Sequence, residues 1–153
     1  MCLNSDLDMS KSQAIEDYAK TIYALSQERD GLVLNGAVAQ RLGVTPATAT
    51  SMLKRLAELG LVEYFPYKGV RLTPSGERVA LEVIRHHRLL EAYLSEALGM
   101  PSDRVHEEAE VLEHYISEEL EALIAAKLGE PSHDPHGTPI PGPDLLPPSG
   151  AER

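Results

Sequence analysis

Apolar residues recur every three or four positions through residues 11–29, where Ile15, Tyr18, Ile22 and Leu25 share one face. That spacing predicts an amphipathic helix, and Asp30-Gly31 ends it. A shorter repeat predicts a second helix over 36–42, with Asn35 as its N-cap and Gly43 just past its end. Thr45-Pro46 opens a third: threonine caps, proline takes the first helical position, and the helix runs to Leu59 before Gly60 stops it. The pattern then changes. Residues 61–65 read as a strand, Pro66-Tyr67-Lys68-Gly69 as a turn and residues 70–73 as a returning strand. Helix, short turn, helix and hairpin, in that order, make a helix-turn-helix followed by a wing.

Thr73-Pro74 repeats the cap-and-proline signal and opens a long helix over 74–98, ended by Gly99, with Leu81, Ile84, Leu89 and Tyr93 as its apolar positions. Pro101 opens the next helix, where Val105, Ala109, Leu112 and Ile116 form an apolar stripe. A last helix over 118–128 carries Leu120, Leu123, Ile124 and Leu128 at helical spacing. From Pro131 onward seven of the last 23 residues are proline, so this segment is expected to be extended or disordered. The expected organisation is mainly α: a winged helix-turn-helix over 1–73, a helical domain over 74–130 and a Pro-rich tail or linker over 131–153.

Charge sharpens the division. The net charge is −10, but residues 1–73 hold eight basic and eight acidic side chains, whereas residues 74–153 hold six and sixteen. All six histidines lie in the second half. The first half is neutral enough to meet DNA, and the acidic, histidine-bearing half is suited to holding cations. The single cysteine, Cys2, excludes an intrachain disulfide and suits a reducing cytoplasm. Met1 to Ser10 lacks the features of a signal peptide, and no apolar run approaches the roughly 20 residues that span a bilayer. A cytoplasmic protein without membrane contact is expected.

The candidate chemistry falls in two places. In a helix-turn-helix the start of the second helix meets base edges in the major groove. Here that start offers Thr45, Ala47, Thr48 and Ser51, small enough to enter the groove and reach thymine methyls or phosphates. Arg41, Lys54, Arg55, Lys68 and Arg71 are placed to contact phosphates. The plainer alternative is a helical hairpin whose small residues only permit close packing. In the second half, His106, Glu110, Glu113 and His114 fall within a stripe about 100° wide on one helix. His87 and Glu91 repeat the i, i+4 device on another helix. Side chains one turn apart can share a cation. A single such pair is more often a solvated acidic face; two helices carrying it favour metal.

Taken in order, several segments resemble the DtxR/MntR family of metal-dependent transcriptional repressors, over about residues 12–143. They are Glu16-Asp17-Tyr18 and Thr21-Ile22-Tyr23; the Ala39-to-Leu61 helix-turn-helix; Leu72-Thr73-Pro74-Ser75-Gly76; and His87-Arg88-Leu89-Leu90-Glu91. They continue with Val105-His106-Glu107-Glu108-Ala109-Glu110 into Glu113-His114, then His136-Gly137-Thr138-Pro139-Ile140-Pro141-Gly142. The resemblance implies a winged-helix domain followed by a helical metal-binding and dimerisation domain. It implies a homodimer on double-stranded operator DNA, repressing transcription when metal is bound, with two divalent cations per subunit. By position the first cation would be held by Asp17, Glu110, Glu113 and His114, and the second by His87, Glu91 and His106. Many members continue into a third, SH3-like domain.

Iron-type members of the family carry Met and Cys where this chain has Asp17 and Glu110; manganese-type members carry carboxylates. Where manganese-type proteins often place a further carboxylate three positions after the aspartate, this chain has Lys20. Oxygen and imidazole donors without a thiolate suit Mn(II) or Fe(II), and the resemblance to manganese-type members at Asp17 and Glu110 implies Mn(II) first. Co(II), Ni(II), Zn(II) or Cd(II) can substitute in vitro. A carboxylate-bridged di-iron enzyme would call for Glu-x-x-His on two helices. No expected helix carries that motif, and His-Glu-x-x-His is absent, so the sequence does not read as an enzyme. A winged-helix regulator sensing a ligand other than metal is the remaining alternative, since fold alone does not fix the ligand.

Overall fold

A computed structural model describes residues 3–146, with side chains from residue 12 onward. Cys2 and the end of the Pro-rich segment, 147–153, lie outside the described residues. The elements run α1 (Leu3–Glu28), α2 (Asn35–Leu42), α3 (Pro46–Glu58), β1 (Val62–Phe65), β2 (Gly69–Leu72), α4 (Pro74–Glu96), α5 (Ser102–Leu112) and α6 (Glu118–Lys127). The architecture is mainly helical, as the periodicity predicts. The chain divides into two compact units between Ala80 and Leu81, inside α4 rather than at its start.

In the first unit the turn between α2 and α3 follows from its local chemistry. Gly43 adopts a left-handed conformation at φ 67°, and the Val44 N–H returns to the Ala39 carbonyl at 3.0 Å. Thr45 Oγ1 then accepts from the Thr48 N–H at 3.1 Å, with Pro46 next in line. Asn35 departs from expectation. Leu34 holds the N-cap position of α2 with no side-chain bond, and the Asn35 amide donates to Thr50 Oγ1 at 3.3 Å. Its polar group ties α2 to α3 rather than capping.

The wing pairs Val62 with Leu72 and Phe65 with Gly69 in antiparallel register. Val33 adds a bridge through two hydrogen bonds with Val70, of 2.9 and 2.8 Å. Two glycines make these approaches possible. A Cβ at Gly69 would sit 2.4 Å from the Val33 carbonyl oxygen, and one at Gly76 would sit 1.9 Å from that of Leu61. The core beneath gathers Tyr18 and Ile22 of α1, Val38, Leu53, Leu56, Val62 and Val70. Ile15 and Leu25 pack against it, so the expected face of α1 is the buried one.

The second unit packs α4, α5 and α6 around Leu89, Leu90, Ala109, Ile124 and Ala125, with Ile140 from the Pro-rich segment. That segment forms no regular element but is not loose up to residue 146. His133 bridges Pro139, the Ile140 N–H donates to the Ser132 carbonyl at 2.8 Å, and Pro141 is fully buried. The expectation of extended or disordered chain is corrected here. Proline has no N–H, but its carbonyl still accepts: Arg85 donates to Pro141 at 2.8 Å and Arg88 donates to Pro139. The α6 stripe also splits. Ile124 is buried, while Leu120 and Leu123 are exposed and line an apolar hollow of about 470 Å³ with Tyr93, Leu98, Tyr115 and Ile116. Among the described residues no helix is long and apolar enough to cross a membrane.

Candidate functional site

Helix α4 carries His87 and Glu91 one turn apart on its inner face, and both are buried. Helix α5 brings His106 to them. His106 Nδ1 lies 3.1 Å from His87 Nε2 and 3.5 Å from Glu91 Oε1, and His87 Nε2 also contacts Glu91 Oε1. The two rings meet edge to face with centroids 4.8 Å apart. One nitrogen or oxygen from each of the three residues lies within 4.8 Å of the others, a spacing that suits one shared cation.

Burial on its own would raise the Glu91 pKa. Hydrogen bonds and charge attraction from His87, and then from His106, outweigh it and hold the carboxyl below its ordinary range. Its second oxygen is buried and lies 3.1 Å from His136 Nδ1, yet it makes no hydrogen bond of good geometry. A buried carboxylate oxygen facing an imidazole nitrogen without a hydrogen bond of good geometry is available to a cation.

The expected stripe of His106, Glu110, Glu113 and His114 separates into two rows. His106 turns toward α4, with Glu110 Oε1 3.1 Å from its Nε2 at the exposed rim. Helix α5 ends at Leu112, but Glu113 keeps helical backbone angles and its N–H still reaches the Ala109 carbonyl at 2.9 Å. Its side chain points inward: Oε2 lies 2.5 Å from His87 Nδ1, and Oε1 lies 3.6 Å from His114 Nε2. Asp17 lies on α1, in the first unit.

Two groups of functional interest are not apparent from the sequence. Asp134 and His136 each bring a ligand atom within 4.8 Å of one from Glu91. Asp134 Oδ1 also shapes the loop, accepting from the backbone N–H of His136 at 2.9 Å and of Thr138 at 2.8 Å. The advance signals are an acid and an imidazole two positions apart in a segment that reads as linker, and the family resemblance of the stretch that His136 opens. The second group is Arg85, His86 and Glu121. Glu121 pairs with the Arg85 Nε–H and lies 2.7 Å from His86 Nε2, and His86 Nδ1 is 3.3 Å from the Glu113 carbonyl oxygen.

In the first unit Ala49, Leu53 and Leu56 of α3 face the core, while Ala47, Thr48, Ser51, Lys54 and Arg55 face solvent together with Thr45. Arg41, Arg55 and Arg71 are exposed and paired with Glu28, Glu58 and Glu63 at 2.8, 3.2 and 2.7 Å. Exposed pairs of this kind contribute only about 0–1 kcal/mol and are readily exchanged for phosphate. Lys54 and Lys68 have no carboxylate partner among the described residues.

Family models and known relatives match both units of the chain. Residues 11–70 match the N-terminal DNA-binding domain of iron-dependent repressors, and residues 73–142 match their metal-binding and dimerisation domain. The diphtheria toxin repressor of Corynebacterium efficiens is 37% identical over 128 residues, which is 83% of this chain and 55% of that protein. The chain thus spans about half the length of that relative. An uncharacterized HTH-type transcriptional regulator of Methanocaldococcus jannaschii is 37% identical over 109 residues, covering 71% of this chain and 87% of that one. A structure of a manganese-dependent transcriptional repressor in complex with manganese superposes with a TM-score of 0.79 at 48% identity, covering 85% of this chain and 59% of the other.

Proposed function

The chain belongs to the iron-dependent repressor family, and on that premise we propose that it is a metal-dependent transcriptional repressor acting in the cytoplasm. It binds operator DNA as a homodimer when Mn(II), or secondarily Fe(II), is held by the second unit. One observation carries this reading. His87, Glu91 and His106 bring their ligand atoms together in a largely buried corner, in a chain whose other unit presents a helix-turn-helix and wing.

Two cations per subunit are proposed. Asp17, Glu110, Glu113 and His114 hold one; His87, Glu91 and His106 hold the other, with Asp134 and His136 beside Glu91 as further donors. The donors are oxygens and imidazoles, which favour Mn(II) and Fe(II) over softer metals. The 48% identity to a manganese-dependent repressor supports manganese first. Stronger-binding later metals such as Co(II), Ni(II) and Zn(II), and also Cd(II), will occupy the same donors in vitro.

A bound cation supplies the positive charge that an acidic, buried cluster otherwise lacks. The remaining work falls to the chain. Asp17 belongs to the first unit and its co-ligands to the second, so their shared use biases the population of unit arrangements toward one competent for DNA. Thr45, Ala47, Thr48 and Ser51 meet base edges, while Arg41, Lys54, Arg55, Lys68 and Arg71 meet phosphates. The apolar hollow bordered by Leu98, Tyr115, Leu120 and Leu123 is the face on which a second copy would close. A two-fold dimer presents its recognition helices about 34 Å apart, or a multiple of that.

The test is direct. A palindromic operator is selected from random DNA in the presence of Mn(II), and binding is measured with metal, without it and after chelation. Binding that appears with Mn(II) and disappears with the chelator is expected. Equal binding in all three conditions would reject a metal-dependent regulator in favour of a winged-helix protein responding to something else.

A further inference from the structure

His87 stands between two buried carboxylates. Its Nε2 faces Glu91 and His106, while its Nδ1 lies 2.5 Å from Glu113 Oε2. The His87 and Glu113 side chains are 7% and 1% exposed, so bulk water does not compete for this contact. The backbone of Glu113 is also held. Its N–H is bonded to the Ala109 carbonyl at 2.9 Å, and its own carbonyl lies 3.3 Å from His86 Nδ1. These bonds hold its backbone, and the orientation of its buried carboxylate is set by what the oxygens meet, His87 first among them.

Building on the metal-regulator reading above, we propose that His87 is a positioning residue that couples the two ligand sets. Its Nε2 belongs to the set with Glu91 and His106. Its Nδ1–H fixes Glu113 Oε2, leaving Oε1 turned toward His114 for the other set. The physical reason is the proton count of imidazole. A neutral ring carries one proton, so with the Nε2 lone pair given to a cation, His87 keeps its proton on Nδ1 and donates it to Glu113. A metal-bound histidine with its far N–H on a carboxylate is a recurrent arrangement, and it sets ligand orientation. Here that carboxylate is itself assigned to the neighbouring cation. Occupancy of either set then raises the affinity of the other by the same factor.

The experiment weakens the first set by one ligand and asks what His87 still does for the second. Mn(II) binding to the full chain is followed by electron paramagnetic resonance in His106→Ala, and in that background with His87→Ala or His87→Asn added. The Asn side-chain N–H₂ stands near the place of Nδ1–H but offers no Nε2. We expect His87→Ala to weaken the remaining site by about 10–100-fold, and His87→Asn to restore most of that loss. Alanine and asparagine variants that bind equally weakly, or an alanine variant no weaker than its parent, would overturn the coupling while leaving the metal reading intact. An unsubstituted chain that takes up no divalent cation would overturn both. ¹⁵N-histidine spectra of the unsubstituted chain with Zn(II) give an independent readout, free of any folding defect in the variants. They should show His87 metal-bound at Nε2 and protonated at Nδ1; metal on Nδ1 would overturn the proposal.

Discussion

The two units use their polar residues in opposite ways. In the first, the side chains proposed to touch DNA stand outside an apolar core: Ala49, Leu53 and Leu56 point inward, and Thr48, Ser51 and Lys54 point outward from the same helix. In the second, His87, Glu91 and Glu113 occupy buried positions where an apolar side chain would otherwise pack. Function and stability are therefore separable in the first unit and entangled in the second. Away from the Thr45 cap, an exposed side chain such as Ser51 can change without disturbing what lies beneath it. A buried carboxylate cannot, because its removal leaves the imidazoles packed around it without their partner.

The largest effect that would test this contrast comes from the scaffold. Leu53 is fully buried, and Leu53→Ala should cost about 2–5 kcal/mol of stability through lost burial and the cavity left behind. Thermal unfolding should report that loss while Mn(II) titration of the second unit stays unchanged below the transition. A parallel loss of metal affinity would show that the units are not separable. Next comes Glu113→Ala. Mn(II) affinity of its set should fall by more than about 100-fold, beyond what loss of an outer-shell partner costs. Metal-dependent operator binding should vanish with it, and retained activation would remove Glu113 from the ligand set.

Smaller effects belong to the exposed face. Thr45→Ala removes the side-chain cap of α3 and should cost about 1 kcal/mol. Chemical denaturation measures it, and an unchanged midpoint would mean that Pro46 alone sets the helix start. Lys68→Ala should alter stability by no more than about 0.5 kcal/mol. It should weaken binding to all DNA sequences alike and reduce the salt slope by about one. A change in sequence preference with the slope intact would move Lys68 from the phosphates to the bases.

Much of the fold is legible in the sequence, and for local reasons. Thr45-Pro46, Gly43 and the 3–4 spacing of α1 act over a few residues, so the sequence exposes them. Asn35 shows the limit. Its amide could cap α2 or reach Thr50, and the packing of α2 on α3 chose Thr50. The α6 stripe shows another. Periodicity identifies Leu120, Leu123, Ile124 and Leu128 as one apolar surface, but not which of them the unit buries. The Pro-rich segment misleads for a related reason. Composition registers missing N–H donors, not the arginines on another helix that receive the carbonyls.

By itself, then, the sequence determined the order of the elements, the winged helix-turn-helix and the residue types available to bind a cation. Caps, breakers and hydrophobic period are short-range, and they survive without knowledge of the partner surface. The grouping of His106 with His87 and Glu91 is implied by the family resemblance but not by the helical projection, which sets His106 with Glu113; only the tertiary structure placed Asp134 and His136 beside Glu91. It also decided that the two nitrogens of His87 face different carboxylates. A helical projection places side chains relative to their own axis. Which atom meets which across two helices depends on how those helices pack, and that is settled by the whole core at once.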